Sequence, residues 1–204
     1  MAVEVPALIV HTPFAAALTQ GLPYATGKPP AFKTVELRGV RGKTKYRGAV
    51  ALFGSAAYHT EDEARIAIVL AWYRRQSIKL LPGDFRDAQI WCRYTSAWRY
   101  RLIGFAKLTA CGTSAGPDFD GTWLAAMWLE GCQADSFLKF KALHAFDSAD
   151  TIAFDKACTG CQRTPPHNTQ ACHAGWQTVN LPDHLVPADV KKEVRPWPKP
   201  QSRK

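Results

Sequence analysis

Charged side chains at regular spacing mark the segment from Phe32 to Arg38, which reads FKTVELR. If this segment is a β-strand, its side chains alternate between two faces, so Glu36 and Arg38 share one face and Lys33 lies on the other. A carboxylate can accept a hydrogen bond or a proton from a ligand, while a neighbouring guanidinium binds a phosphate or an oxyanion. The alternative is a structural ion pair between Glu36 and Arg38 that carries no chemistry.

Cations surround this segment. Between Lys28 and Arg47 the chain has seven Lys or Arg residues and one acid, Glu36. The positive electrostatic potential of these cations favours a polyanionic partner, most simply the backbone of a nucleic acid. An exposed hairpin whose charges only keep it soluble is the alternative. The cations expected to contact a nucleic acid after the strand are Arg41, Lys43, Lys45 and Arg47.

A second set of cations alternates with aromatic residues between Ile90 and Leu102, and this block reads as a strand. Arginine and aromatic side chains together hold phosphates and stack on bases, which makes Arg93, Arg99 and Arg101 candidate nucleic-acid contacts. Strands with their aromatic residues inward and their arginines outward are the alternative. The aromatic residues of the block are Trp91, Tyr94, Trp98 and Tyr100.

Cysteine and histidine residues cluster before the last predicted strand, in a lobe at about residues 155–175. Two thiolates separated by two residues can bind one tetrahedral zinc ion, and a histidine and a third cysteine complete four ligands. The spacing is similar to a zinc knuckle with one extra residue before the histidine. A loop with free thiols, or a disulfide in a purified sample, is the alternative. The candidate ligands are Cys158, Cys161, His167, Cys172 and His173, with the two histidines as alternatives for the fourth position.

The elements that must position these residues are readable in the flanking sequence. Residues 7–11 read as a short buried strand, and residues 13–18 as a helix, with Thr12 as its N-cap and a proline at its first position. Residues 46–55 read as a turn into a second buried strand. A capping box at Thr60–Glu63 begins a helix that extends to residue 76, with apolar residues at positions i, i+3, i+4 and i+7. Residues 82–84 read as a turn.

This order of strand, helix, Lys-Thr-Val-Glu-Leu-Arg strand, basic turn and apolar strand resembles the ASCH domain, a member of the PUA-like superfamily. Residues 100–108 are similar to the family's glycine-containing strand, and residues 175–181 to its closing strand. The resemblance implies an α+β fold, a mixed β-barrel with flanking helices, into which this chain inserts a helix at about 60–76 and the Cys/His-rich lobe. We therefore expect one ASCH/PUA-like domain over residues 1–190, followed by a basic, disordered tail over residues 191–204.

The resemblance also bears on chemistry. In ASCH-like amidohydrolases that act on acetylated cytidine, a lysine is paired with a nucleophilic threonine; Lys33 matches that lysine, but Glu36 stands at the threonine position. Some ASCH proteins resemble ribonucleases, for which Lys33, Glu36 and Arg38 would be the catalytic set, with His11 or His59 as a further proton-transfer group. Related PUA-like folds resemble readers of modified bases.

Composition limits the function classes. The net charge of +9 and the hydrophobic fraction of 47% indicate a basic globular protein. No secretory signal and no apolar run of membrane-spanning length is visible, so we expect a cytoplasmic protein without a membrane partner. Its cysteines are then thiols or metal ligands.

The sequence favours binding of RNA or single-stranded nucleic acid through a basic, aromatic-lined cleft, in which a modified base is a candidate ligand. A hydrolase at the same cleft, either a ribonuclease or a modified-nucleoside amidohydrolase, is one alternative. A protein-interaction module for an acidic partner is another. The sequence does not indicate an oligomeric state.

Overall fold

A computed structural model describes residues 2–20, 31, 33–38, 44–55, 60–75, 82–99, 101–112, 136–146, 152–153 and 176–197 of the chain. The strands in these parts are β1 (Ala2–Val10), β2 (Val35–Arg38), β3 (Gly48–Gly54), β4 (Arg101–Gly112), β5 (Ser136–Ala145), β6 (Ile152–Ala153) and β7 (Trp176–Pro182). The helices are α1 (Thr12–Thr19), α2 (Thr60–Arg75), α3 (Pro82–Thr95) and α4 (Ala188–Glu193).

The strands form one mixed sheet in the order β2-β5-β4-β3-β1-β7, with β6 beside β4. Strands β1 and β3 are parallel, and the other pairs are antiparallel. The α+β class expected from the sequence is therefore confirmed. Over the described residues β2 and β7 are the two ends of the hydrogen-bonded order, so backbone pairing does not close the sheet into a barrel.

The sheet is nevertheless strongly curled. Arg38 is on edge strand β2, and three strands separate it from β1 in the hydrogen-bonded order. A flat sheet would place β2 and β1 about 19 Å apart, at about 4.8 Å per strand. Instead Arg38 Nη2 donates to the carbonyl oxygen of Ile9, on β1, at 3.1 Å. The sheet must therefore bend until its β2 edge returns to β1.

Alternation along β1 and β3 produces a core on each face of the sheet. One face buries Leu8 and Leu52 beneath α1, together with Ile66 of α2 and Trp91 of α3. The opposite face buries residues such as Phe53 under the chain around α4. Both strands are almost continuously apolar because both faces are covered. This packing fixes the carboxyl end of β1, where Arg38 contacts Ile9 and Ser55 contacts Val10.

Most local predictions from the sequence are confirmed. The predicted segments at 7–11, 13–18, 46–55, 60–76, 100–108 and 175–181 correspond to β1, α1, β3, α2, β4 and β7. Gly104, in the predicted glycine-containing strand, faces the carbonyl oxygen of His144 too closely for any Cβ. A glycine is therefore required for β4 and β5 to pair at this point.

The strand predicted over residues 90–102 is wrong for its first part. Residues 82–95 are helix α3, and the predicted turn at 82–84 is the first turn of that helix. A 3-10 turn at Ser96–Trp98 follows, and β4 begins only at Arg101. The residues that α3 buries recur with helical spacing, and this apolar face outweighs the strand preference of the aromatic residues. They are Asp84, Ala88, Trp91, Cys92 and Thr95.

The disordered tail predicted from residue 191 is wrong for residues 191–197. Helix α4 runs to Glu193, and Trp197 packs against two aromatic rings of the body. The ring centroid of Trp197 lies 5.2 Å from that of Tyr46 and 5.0 Å from that of Trp176. Residues 198–204 lie outside the described residues.

Candidate functional site

Lys33 and Glu36 are in direct contact. Lys33 lies two residues before β2, and its backbone N–H donates to the carbonyl oxygen of Ala17 in α1 at 3.0 Å. Because Lys33 precedes the strand, strand alternation does not apply to it, and its ammonium group forms an ion pair with Glu36. The same Nζ donates to the carbonyl oxygen of Val35 at 2.6 Å. The expectation that Lys33 and Glu36 lie on opposite faces is therefore wrong.

Glu36 is shared between two cations. One carboxylate oxygen contacts Lys33, and the other lies 3.1 Å from Arg38 Nη2. The three side chains are 3%, 12% and 19% exposed for Lys33, Glu36 and Arg38, respectively. We call these three residues the charged trio. The structure thus brings together all three residues that the sequence proposed as a catalytic or recognition set.

Arg38 ties the trio to the carboxyl end of β1. The Arg38 guanidinium donates to the Ile9 carbonyl oxygen, and the Arg38 backbone carbonyl accepts from Ser136 Oγ, on β5, at 3.0 Å. Its Nε is buried and has no hydrogen-bond partner within the described part of the chain. Ser55 Oγ, beyond the end of β3, is also buried without a partner there, while the Ser55 backbone N–H donates to Val10. Two spare polar groups therefore lie near this end of β1.

The environment shifts the pKa values of both partners of the buried ion pair. Burial lowers the pKa of Lys33, and although Glu36 acts to raise it, burial dominates. For Glu36, burial acts to raise the pKa, but Lys33 and Arg38, with a smaller contribution from His11, together bring it below its ordinary value. The Lys33 ammonium also lies 5.8 Å from the centre of the Phe14 ring, a cation–π distance. The site thus holds Glu36 as a carboxylate and favours loss of a proton from Lys33.

The lowered pKa of Glu36 predicts a loss of stability in acid. Because its pKa in the folded state is depressed, its stabilising contribution is complete above the ordinary value of 4.5 and is lost as the pH falls through the folded value. We expect the difference in unfolding free energy between the wild type and Glu36→Gln to be widest near neutral pH and to narrow below about pH 4.5. Urea denaturation across this range measures it. A constant difference would contradict this pKa shift.

Of the cation-rich residues 41–47 that follow β2, the structure describes residues 44–47, which we call the basic loop. Lys45 and Arg47 are exposed. The Arg47 guanidinium donates to the carbonyl oxygens of Thr44 at 3.1 Å and Tyr46 at 2.6 Å, with a longer contact of 3.5 Å to Cys111 on β4. The other two predicted contacts of this run, Arg41 and Lys43, lie outside the described residues.

Sheet register relates the basic loop to the charged trio. Glu36 pairs with Leu138 on β5, and Leu138 pairs with Cys111 on β4. Glu36 and Cys111 are therefore two strands apart in one cross-strand row, about 10 Å at the usual strand spacing. Since Arg47 contacts the carbonyl oxygen of Cys111, it reaches the cross-strand row that includes Glu36.

The arginines of the second basic block lie elsewhere. Arg93 is exposed on α3, Arg99 is exposed after it, and Arg101 is half-buried at the start of β4. Trp91 and Trp98 are buried and cannot stack on a base. Tyr94 is 40% exposed, and its ring packs edge-on against Trp98 at 5.2 Å. No described contact joins Arg93 or Arg99 to the charged trio, so the predicted aromatic-lined cleft is not seen in this part of the chain.

The five candidate zinc ligands, Cys158, Cys161, His167, Cys172 and His173, lie outside the described residues, as does His59. Within the described residues no group of three or more His, Cys, Asp or Glu side chains is placed to hold a metal ion. Of the cysteines in these residues, Cys92 is buried and Cys111 is half-buried.

Sequence reasoning missed two contributors near the site. One is the Ile9 carbonyl oxygen, a backbone group that no side-chain pattern reveals. The other is the C-terminal segment, residues 188–197, whose Arg195 backbone N–H donates to Tyr46 Oη at 3.3 Å. Trp197 between two prolines was a usable signal, because a large apolar side chain in a charged tail usually marks a docking point.

Comparison with known proteins gives no assignment. No model of a protein family matches this chain, and a search of curated proteins finds no relative. Among the described residues, no helix combines the length and the apolar character needed to cross a membrane.

Proposed function

We propose that this protein binds single-stranded nucleic acid, RNA in the first instance, with the basic loop on the backbone and the charged trio at a base. The observation that carries the proposal is the convergence of Lys33, Glu36 and Arg38 in a largely buried group, on the cross-strand row that Arg47 reaches. Exposed cations supply affinity without selectivity, whereas a buried carboxylate can select a ligand by its N–H groups.

The charged trio can form further hydrogen bonds with a ligand. A carboxylate offers about four acceptor positions, and Lys33 and Arg38 take one on each oxygen. Glu36 can therefore still accept from an exocyclic amine or a ring N–H of a base. The Nε of Arg38 and the hydroxyl of Ser55, for which the described residues supply no partner, are donors suited to a carbonyl or phosphate oxygen. This mixture of donors and acceptors matches the edge of a nucleobase, including a modified one.

We further propose that the fold is the PUA-like barrel of the ASCH family. The stagger of the strands supports this. Following the strand pairs from β2 through β5, β4 and β3, Arg38 falls level with the position just before the start of β1. Yet Arg38 contacts Ile9, about ten residues further along, and a closed barrel requires a stagger of this kind. Arg38 would then bridge the seam between β2 and β1.

RNA binding and its salt dependence test the main proposal. For single strands the logarithm of affinity falls with the logarithm of salt concentration by about 0.7 per phosphate contact. We expect the wild type to bind labelled single-stranded RNA, and Lys45→Gln with Arg47→Gln to reduce the slope by about 1.4. Glutamine keeps a donor for the carbonyl groups that Arg47 contacts. An unchanged slope would remove the basic loop from the mechanism.

A hydrolase at the same site is the second candidate, because the lowered pKa of Lys33 beside a carboxylate suits proton transfer. In this candidate Lys33 and Glu36 exchange protons with the substrate, and Arg38 stabilises the negative charge that develops. The same incubation, with and without EDTA, distinguishes the two. Cleavage in the presence of EDTA favours a metal-independent ribonuclease, and retention of intact RNA favours the binder. If the RNA is neither cleaved nor retained, an acidic protein partner is the remaining alternative.

We also propose a zinc site in the Cys/His-rich segment. This segment has several possible metal ligands and few apolar residues, so a bound metal would supply folding energy that core burial cannot. We expect close to one zinc per chain by elemental analysis of protein purified under reducing conditions, and its loss in Cys158→Ser. Cys111→Ser, which alters a half-buried thiol of the sheet, is the matched control and should keep the metal. Absence of zinc, with the cysteines of the segment freely labelled, would contradict the site.

A further inference from the structure

The C-terminal segment is built against the basic loop. Tyr46, in the middle of the loop, is buried, and its hydroxyl donates to the Ala49 carbonyl oxygen at 2.7 Å while accepting from the Arg195 backbone N–H at 3.3 Å. The Trp197 ring packs on the Tyr46 ring, and on Trp176 beyond it. The two segments therefore share one packed interface, and their exposed side chains are neighbours.

The backbones of the two segments also approach closely. Gly48, directly after the basic loop, has φ of +147°, and a Cβ built on it would lie 2.5 Å from the Glu193 carbonyl oxygen. Only glycine meets both requirements, the positive φ and the missing side chain. This contact fixes the end of α4 against the start of β3 and leaves little freedom between the two segments.

Two acids near this interface are paired with lysines. Lys107 contacts Glu193 at 2.8 Å, and Lys191 contacts Asp183 at 2.8 Å. In the described parts of the chain, the remaining exposed cations of the interface have no carboxylate within salt-bridge distance. These cations are Lys45, Arg47, Lys192 and Arg195.

Carbonyl groups hold the two guanidinium groups in place. Arg47 donates to carbonyl oxygens of the basic loop, and Arg195 Nη1 donates to those of Lys192 at 2.7 Å and Val194 at 3.0 Å. A guanidinium has five N–H donors, so each retains several for a ligand. A carbonyl contact orients the group without cancelling its charge, as a carboxylate would.

We infer that Lys45, Arg47, Lys192 and Arg195 form one continuous site for the phosphate backbone of a single-stranded nucleic acid. The C-terminal segment is then half of the binding surface. This inference rests on the proposed function and extends it, because the strand would continue past the basic loop and across the end of α4. The ligand is identified by its chemistry, a repeated array of anionic phosphates, for which exposed cations on a fixed backbone are suited.

The test measures the salt slope of binding for fluorescein-labelled oligouridine RNA with three variants. Lys192→Gln with Arg195→Gln removes the two cations that the C-terminal segment contributes to the proposed site, while keeping donors for the carbonyl groups. We expect its slope to fall by about 1.4, matching the basic-loop variant, and the four changes together to reduce it by about 2.8. Arg86→Gln on α3, where the side chain is 77% exposed, is the control and should leave the slope unchanged.

The outcomes separate the inference from the function on which it rests. If the wild type does not bind the RNA, the proposed function itself fails. If the basic-loop variant loses slope and the C-terminal variant keeps the wild-type slope, RNA binding stands and the extended surface is wrong. If both lose slope equally while their melting temperatures stay near that of the wild type, the inference is supported. Melting each variant first excludes loss of binding through unfolding.

Discussion

Replacing Glu36 with glutamine should lower the free energy of unfolding by about 3–5 kcal/mol, the usual cost of removing one partner from a buried ion pair. Glu36 is the carboxylate that neutralises both Lys33 and Arg38, and all three side chains are largely buried. Glutamine has nearly the same size but no charge, so the variant leaves two cations facing each other away from water. Urea denaturation at neutral pH, with the midpoint and slope both fitted, measures the loss.

Glu193→Gln is the matched control, since it makes the same chemical change in the half-exposed pair with Lys107. Water screens that pair, so we expect a much smaller loss of stability. A double-mutant cycle of Lys33→Met with Glu36→Gln then isolates the coupling between the buried partners. Equal losses for Glu36→Gln and Glu193→Gln would show that the charged trio does not hold the sheet edge to β1.

The charged trio therefore has a structural role beside the proposed recognition role. Glu36 contacts Arg38, and Arg38 reaches from β2 to the Ile9 carbonyl oxygen on β1. A ligand that donates hydrogen bonds to Glu36 would share a carboxylate that is already bound to two cations. Binding and stability should thus be coupled, and a ligand at this site is expected to raise the melting temperature of the wild type.

The elements that the sequence predicted correctly are those set by local patterns. The apolar runs of β1 and β3, the proline at the start of α1 and the acidic start of α2 each depend on neighbouring residues. Residues 90–95 have strand-forming aromatic side chains, yet Ala88, Cys92 and Thr95 place a buried face at helical spacing. Burial against the rest of the fold makes that segment helical, whereas the strand preference of its residues alone predicts a strand.

The site was predictable in its members but not in its geometry. Lys33, Glu36 and Arg38 were chosen for their chemistry, and the structure brings them together. Their contact depends on β2 beginning at Val35, which leaves Lys33 free of strand alternation. It also depends on Arg38 reaching Ile9 across a curled sheet. Both are long-range consequences of the fold, and a single sequence holds no direct signal for them.

Replacing Trp197 with alanine should cost up to about 3 kcal/mol of unfolding free energy, the lower end of the range for a core tryptophan, because the ring is only partly buried. The lost contacts are those with Tyr46 and Trp176. Since these rings hold the C-terminal segment on the basic loop, we also expect weaker RNA binding. Trp197→Phe keeps an aromatic ring at this position and should retain most of both properties.

Two further variants separate positioning from general stability. Tyr94→Ala removes a half-exposed aromatic ring from α3, far along the chain from the basic loop, and should lower stability without changing the salt slope of RNA binding. Trp197→Ala should reduce that slope, because Arg195 is no longer held beside Arg47 although both charges remain. If Trp197→Ala keeps the full slope, the C-terminal cations act without the packed interface or not at all. Combining it with Lys192→Gln and Arg195→Gln decides between these, since only in the first case does the slope then fall.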